Sequence, residues 1–337
     1  MKAVGYTQTG PIDRPDALID FEADKPSPKG HDLLVKIEAI SVNPVDTKIR
    51  RRRAPEKGNP AILGWDAAGA VVATGDAVAN FRVGDRVWYA GAVNRPGTNA
   101  EFHLVDERIV GRAPSSLAVA GSAALPLTTL TAYEMLFDRL AVANAVAGGT
   151  RTLLVIGGAG GVGSMVIQLA RALTDLTVIA TASRTETQEW VRDLGAQHVI
   201  NHAKPLVPQI EALKIGSVDF VYSTTHSDRY AAQVAEIITP QGRYGLIDDP
   251  EALDIMPFKS KSISIHWESM FTRSMFGTAD MQRQGDILNE VAARIDEGKI
   301  KSTAAESFGA INAANLKRAH ALLESGKSKG KIVLEGF

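Results

Sequence analysis

Between Leu153 and Gly163 the chain reads LLVIGGAGGVG, an apolar strand pattern running straight into a glycine turn, and the SMVIQLARAL that follows has the pattern of a helix. Gly158, Gly160 and Gly163 satisfy the spacing G-x-G-x-x-G. In a strand-turn-helix unit these glycines permit a tight turn, close approach of backbone to a pyrophosphate, and close packing of helix on strand. The helix N-terminus, with Gly161 and Val162 in its first turn, then presents N–H groups to phosphate oxygens. Glycine turns also serve structure alone, so the surrounding pattern has to decide.

That pattern is an alternation of strands and helices. Thr177 to Thr181 reads as a strand, Thr187 to Leu194 as a helix stopped at Gly195-Ala196, and Val199-Ile200 as a short third strand. Val218 to Tyr222, Tyr230 to Ile238 and Arg243 to Ile247 give strand, helix and strand, with a turn at Pro240-Gln241-Gly242, and Ser262 to Trp267 supplies a sixth strand. Elements of these lengths in this order predict an α/β fold built on a doubly wound parallel sheet that binds a dinucleotide.

The end of the second strand selects the cofactor. Chains that prefer NAD place an acid there for the ribose hydroxyls, whereas this chain has Thr181-Ala182-Ser183-Arg184. A serine hydroxyl and a guanidinium suit the additional phosphate of NADPH through charge-assisted hydrogen bonds, so Ser183 and Arg184 point to NADPH (NADP). The competing reading leaves Arg184 solvated and gives the ribose to Glu186. His202, Thr224 and Thr225 follow the third and fourth strands, at the carboxyl edge where such sheets bind ligands, and are further cofactor-binding candidates. For His202 an ordinary surface position is an equal alternative.

Composition narrows the class. With 337 residues the chain can form two domains, and a net charge of −1 gives no global pull toward nucleic acid or membrane. No cysteine is present, which removes disulfides, thiol nucleophiles and zinc-thiolate sites and suits a reducing compartment. MKAVGYTQTG has no signal-peptide pattern, and the uncharged run Leu153 to Ala170 is broken by five glycines. A soluble, cytoplasmic protein is expected.

Before the glycine turn, short β-like runs at Leu33 to Ala39, Ala67 to Ala73, Arg86 to Tyr89 and Glu101 to Val105 are separated by glycine and proline turns. After Phe271 come helical patterns at Asp280 to Glu297 and Asn312 to Ser325, and a closing strand at Gly330 to Leu334. We therefore expect a mostly β domain of residues 1–127 completed by 272–337, and a dinucleotide-binding domain of residues 128–271.

Asn43-Pro44-Val45-Asp46, Gly64-Trp65-Asp66-Ala67-Ala68-Gly69, Val83-Gly84-Asp85-Arg86-Val87, the run Ala124 to Tyr133, the glycine turn and Gly330-Lys331-Ile332-Val333-Leu334 occur in that order. Together they resemble the medium-chain dehydrogenases/reductases, and within them the zinc-free quinone oxidoreductase branch, whose close subgroup carries the label zinc-type alcohol dehydrogenase-like. The resemblance implies a GroES-like β domain, a Rossmann domain and an active site in the cleft. It places Asn43 and Thr129 against the nicotinamide, adds Lys331 to the cofactor-binding residues, and makes Asn43, Asp46, Lys48, Trp65 and Tyr89 catalytic candidates. Each has a plain counterpart: a turn residue for Asn43, a loop anchor for Asp46, a basic surface for Lys48, core aromatics for Trp65 and Tyr89.

Zinc-using relatives carry a cysteine where this chain has Asn43 and a histidine where it has Trp65, so no metal is expected. His198 and His202, the four-residue pair among seven histidines, flank a strand that spans about 13 Å and cannot share an ion. Without a Lewis acid, alcohol oxidation loses its main aid, and the expectation is hydride transfer from NADPH to a quinone or α,β-unsaturated carbonyl. The alternatives are a zinc-dependent alcohol dehydrogenase or aldehyde reductase, and a non-catalytic NADPH- or RNA-binding, crystallin-like protein.

Arg50-Arg51-Arg52-Arg53 is read as an exposed loop that attracts NADPH, since it has no interleaved aromatics for stacking bases. Residues Ser262 to Phe276 place methionines and aromatics after the sixth strand. By the resemblance this region serves a homodimer, with Met270, Phe271 and Met275 at the interface, over the substrate, or in the core.

Overall fold

The computed structural model describes residues 1–56 and 58–337. They divide into two compact units, the first made of Met1–Leu130, Phe271–Gly298 and Ser302–Phe337, the second of Thr131–Met270 with Lys299–Lys301.

The second unit is a parallel sheet of six strands in the spatial order His198–Ile200, Thr177–Thr181, Thr152–Ile156, Val218–Ser223, Ile238–Leu246, Ser264–Trp267. Every neighbouring pair is parallel. Strand order reverses beside the first strand of the unit, which is the topology of a Rossmann fold. Thr152–Ile156 and Val218–Ser223 are buried at every position, as expected of strands covered on both faces, which read as continuous apolar runs. Leu154, Ile179, Val221 and Tyr244 pack with Val234 and Phe258 from the helical side.

Helices Gly161–Leu173, Thr185–Asp193, Leu206–Leu213 and Ser227–Ile237 connect these strands. Leu206–Leu213 is not in the sequence reading. The fifth strand begins at Ile238, not Arg243, and the expected Pro240-Gln241-Gly242 turn lies inside it. Gln241 has a left-handed φ of 62°, and the pairing with Val218–Ser223 shifts register between Val218 and Phe220. The three residues therefore form an irregularity in a longer strand.

The first unit holds a seven-stranded sheet and a three-stranded one. Its longest strand, Asp32–Val42, pairs antiparallel with Ala67–Thr74, Phe102–Asp106 and the closing strand Lys331–Glu335. The last pairing sets Ile332 opposite Val42, so the next step of the ladder brings Lys331 to Asn43. On the other side Ile40 is opposite Ala67, and the Ser41 N–H donates to the Asp66 carbonyl at 3.3 Å. Asn43, Asp66 and Lys331 thus meet where three strand ends converge.

Helix Pro44–Arg52 follows directly, where the sequence reading had a turn and a loop. An Asn before the helix, Pro at its first position and Asp at the third form a helix N-terminus signature. Asn43 N–H donates to Asp46 Oδ2 at 2.6 Å, and Asp46 N–H to the Asn43 carbonyl at 3.0 Å. The run Arg50 to Arg53 is consequently helix end, not loop, and its members differ. Arg51, Arg52 and Arg53 are exposed, while the Arg50 side chain is 1% exposed and paired with Glu324. The expectation of one solvated basic patch is corrected accordingly.

Candidate functional site

In the second unit the glycine turn joins Thr152–Ile156 to Gly161–Leu173, with Gly160 as the N-cap. Its shape depends on Thr181 of the neighbouring strand, whose Oγ1 accepts from Gly157 N–H at 2.9 Å and whose carbonyl accepts from Gly158 N–H at 3.1 Å. Gly157, outside the spacing recognised in the sequence, takes φ +80°, a conformation that side chains with a Cβ resist.

The three motif glycines have distinct reasons. A Cβ on Gly163 would lie 2.4 Å from the Gly157 carbonyl oxygen, so the helix could not approach the turn. One on Gly158 would lie 2.9 Å from Ala180 Cβ. One on Gly160 would meet nothing nearer than 3.6 Å. The protein itself does not require glycine there, and the open space is the cradle that a diphosphate would occupy at the amino end of a helix.

Gly161 and Val162 open that helix and are half-buried. Ser183 and Arg184 are exposed after the second strand, with Arg184 as N-cap of Thr185–Asp193. His202 Nδ1 lies 3.0 Å from Thr181 Oγ1, and burial lowers its pKa, with the neighbouring His226 adding to the effect and the Thr181 hydrogen bond opposing it. Thr224 donates its hydroxyl to the Ile156 carbonyl at 3.0 Å, bracing the end of the first strand, and Thr225 Oγ1 is 2.7 Å from His226 Nδ1.

The first unit contains the other named residues. The Lys331 ammonium, 4% exposed, donates to the Val42 carbonyl at 2.8 Å and to Asn43 Oδ1, and lies 3.1 Å from Asp66 Oδ2. Asn43 Nδ2 donates to the same Asp66 oxygen at 2.7 Å. The other oxygen of Asp66 accepts Leu127 N–H at 2.8 Å. Asp46 closes the group from the helix. Both polar ends of the Asn43 amide and all three ammonium donors of Lys331 are therefore engaged within the protein. These contacts give both residues a structural role. Asp66 was quoted only as part of a motif; its signal was a carboxylate set between apolar stretches.

Burial of this cluster shifts its acids. Desolvation pushes the Asp46 carboxyl up to about 7, the Asp66 charge adds to the rise, and Asn43 N–H, Lys331 and Gly64 N–H oppose it. Desolvation also raises Asp66 against the pull of Lys331, and lowers Lys331. From about pH 4 to 7, folded Asp46 keeps a proton that the unfolded chain has released, so this group makes stability fall as pH rises through that window. Asp46→Asn retains an acceptor for Asn43 N–H and abolishes the slope. In urea titrations its stability relative to wild type is expected to increase from about pH 4 to 7 and level off above that; a constant difference would refute the assignment.

The remaining candidates separate. Trp65 is 2% exposed, donates Nε1–H to the Ala92 carbonyl at 3.1 Å, and meets Phe271 edge-on at 6.3 Å. Tyr89 is fully buried, with its hydroxyl 3.1 Å from His103 Nδ1 and its ring stacked on that imidazole. Both have the surroundings of core aromatics. Lys48 is half-exposed on helix Pro44–Arg52. Thr129 is fully buried, and its hydroxyl has no hydrogen-bond partner among the described residues. Met270 and Phe271 are buried, whereas Met275 is 42% exposed.

Residues 29–124 match the family model of the alcohol dehydrogenase GroES-like domain, and residues 194–334 match that of zinc-binding dehydrogenases. A zinc-type alcohol dehydrogenase-like protein of Staphylococcus aureus strain MSSA476 is 39% identical over 99% of both chains. The NADPH-dependent alkenal/one oxidoreductase of Arabidopsis thaliana, a chloroplastic protein, is 29% identical over 99% of this chain and 79% of its own length. A crystal structure from Rhizobium etli CFN 42, described as a candidate zinc-dependent alcohol dehydrogenase, superposes with a TM-score of 0.99 at 58% identity, covering 100% of this chain and 98% of the other.

The zinc in three of these descriptions can be tested against the donors present. Zinc is held by thiolate, imidazole and carboxylate, with three protein ligands in a catalytic site. This chain offers an amide at 43, an indole at 65 and no cysteine anywhere. Among the described residues no three His, Asp or Glu side chains come together in a metal-binding group. The donor set does not fit a catalytic zinc.

Proposed function

Because the chain belongs to the medium-chain dehydrogenase/reductase superfamily of oxidoreductases, we propose that it is a zinc-independent NADPH-dependent reductase acting on a quinone or an α,β-unsaturated carbonyl. The observation that carries this reading is the Gly160 cradle at the carboxyl edge of a Rossmann sheet whose second strand ends in Ser183-Arg184 where an NAD-preferring chain has an acid.

Bound NADPH supplies a hydride. The turn backbone from Gly158 to Gly163 and the helix behind it hold the diphosphate, and Ser183 and Arg184 bind the ribose phosphate. His202, Thr224 and Thr225 line the same sheet edge, and Thr129 offers a buried hydroxyl without a hydrogen-bond partner among the described residues. An electron-poor acceptor suits a chain without a Lewis acid, because the negative charge arriving with the hydride is delocalised onto an oxygen that water can protonate. Asp46 is buried away from solvent, which argues for solvent as the source of that proton.

Two measurements test the reading. NADPH oxidation is followed with quinones, enones, aldehydes and alcohols before and after chelator treatment. Turnover of the first two classes, unchanged by chelation, is expected; alcohol oxidation lost on chelation and restored by zinc would overturn it. Arg184→Ala should raise the KM for NADPH by about 10- to 100-fold, the worth of one charge-assisted hydrogen bond, and leave that for NADH nearly unchanged.

We also propose a homodimer formed along strand Ser264–Trp267. It lies at the edge of its sheet, and its last residue, Trp267, is 57% exposed, a large apolar side chain on an unpaired edge of the kind that marks association sites. Light scattering should give twice the 35.9 kDa chain mass, and Trp267→Lys should return it to the single value.

A further inference from the structure

We infer that Lys331 is a resident cation, which holds Asn43 and Asp66 in register and, by occupying the space between their oxygens, excludes a metal ion from them. This deepens the zinc-independent reading above and rests on it.

The geometry is that of a charge enclosed by donors and acceptors chosen for it. Three oxygens, from Val42, Asn43 and Asp66, surround the Lys331 ammonium. Asp66 in turn is saturated by Lys331, Asn43 Nδ2 and Leu127 N–H. Side-chain exposures of 4% and 0% put this ion pair out of water, where an uncompensated carboxylate is far costlier than a paired one. Below about pH 7 the charges balance, Lys331 against Asp66, with burial keeping the Asp46 carboxyl protonated.

A divalent ion finds no room for itself in this arrangement. Zinc–oxygen bonds are about 2.0–2.2 Å, so an ion reaching Asn43 Oδ1 and Asp66 Oδ2 would sit against the ammonium and be repelled by it. Lys331 and Asn43 are 288 residues apart, and the antiparallel register of the closing strand brings them together. Lys331 is accordingly a positioning residue. It acts through the Asn43 amide and the Asp66 carboxylate.

The decisive experiment compares Lys331→Met, Asp66→Asn and the double variant by thermal unfolding, together with the metal content of wild-type protein purified from zinc-supplemented cells. Lys331→Met leaves Asp66 buried without its counter-charge and should lower Tm by about 5–10 °C. Removing both charges should restore most of that loss, a rescue that mere packing by the lysine stem would not give. Wild type should carry no stoichiometric zinc. Additive losses, failure of the double variant to fold, or one zinc per chain that is lost in Asp66→Asn would overturn the inference. None of these readouts depends on turnover, so a chain inert toward NADPH and every acceptor would refute the proposed function and leave this test standing.

Discussion

Gly160→Ala should fold as wild type does and lose roughly 100-fold in NADPH affinity, while Gly163→Ala should fail to reach a stable fold. The contrast follows from what each new methyl group meets. At Gly160, with φ −71° and ψ 172°, alanine is conformationally ordinary and its Cβ has 3.6 Å of clearance. The added methyl projects into space the protein leaves open, and only a ligand lying on the turn collides with it. Overpacking costs typically about 1–3 kcal/mol, up to about 100-fold in binding. At Gly163 three backbone atoms of Gly157 and Gly158 lie within 2.8 Å of the new Cβ. Backbone cannot rotate away as a side chain can, so helix Gly161–Leu173 must separate from the turn. Isothermal titration and circular dichroism on both variants check the pair. Unimpaired NADPH binding by folded Gly160→Ala would place the cofactor elsewhere.

Arg50→Ala is expected to destabilise the protein by about 3–5 kcal/mol, the usual cost of breaking a buried pair by removing one partner. Arg50 pairs with Glu324, donates Nη1–H to the Gly10 carbonyl at 2.6 Å, and directs Nε toward His320 Nδ1 at 3.4 Å. Burial and the adjacent guanidinium lower the His320 pKa to about 3. The imidazole is therefore neutral and can accept. These contacts tie helix Pro44–Arg52 to helix Ala313–Glu324 and to the N-terminal segment. Arg51→Ala and Arg52→Ala, on exposed positions of the same run, should stay within about 0.5 kcal/mol of wild type. Urea unfolding of the three variants measures this directly, and equal effects at the three positions would contradict the buried role of Arg50.

The arginine run also shows where reading residues in a line failed. Four identical neighbours suggested one surface, but on a helix Asp46 and Arg50 are one turn apart and share a face. The cap formed by Asn43, Pro44 and Asp46 is visible in the sequence and implies that helix. Pro240-Gln241-Gly242 misled as well, because turn-forming residues also accommodate an irregularity within a strand. Tyr89 and Trp65 were ambiguous on principle. An aromatic side chain reads alike whether it lines a site or fills a core.

The nucleotide-binding unit was legible because its determinants are local: apolar runs of strand length, helices of ordinary period, and glycines at fixed spacing between them. Each lies within a few residues of what it shapes, so the chain alone specified the Rossmann sheet, the glycine turn and the Ser183-Arg184 end of its second strand. The Asn43, Asp66 and Lys331 cluster belongs to tertiary structure. Antiparallel register sets which distant strand ends meet, and burial then decides that a lysine which could have gripped a cofactor spends its three donors inside the protein.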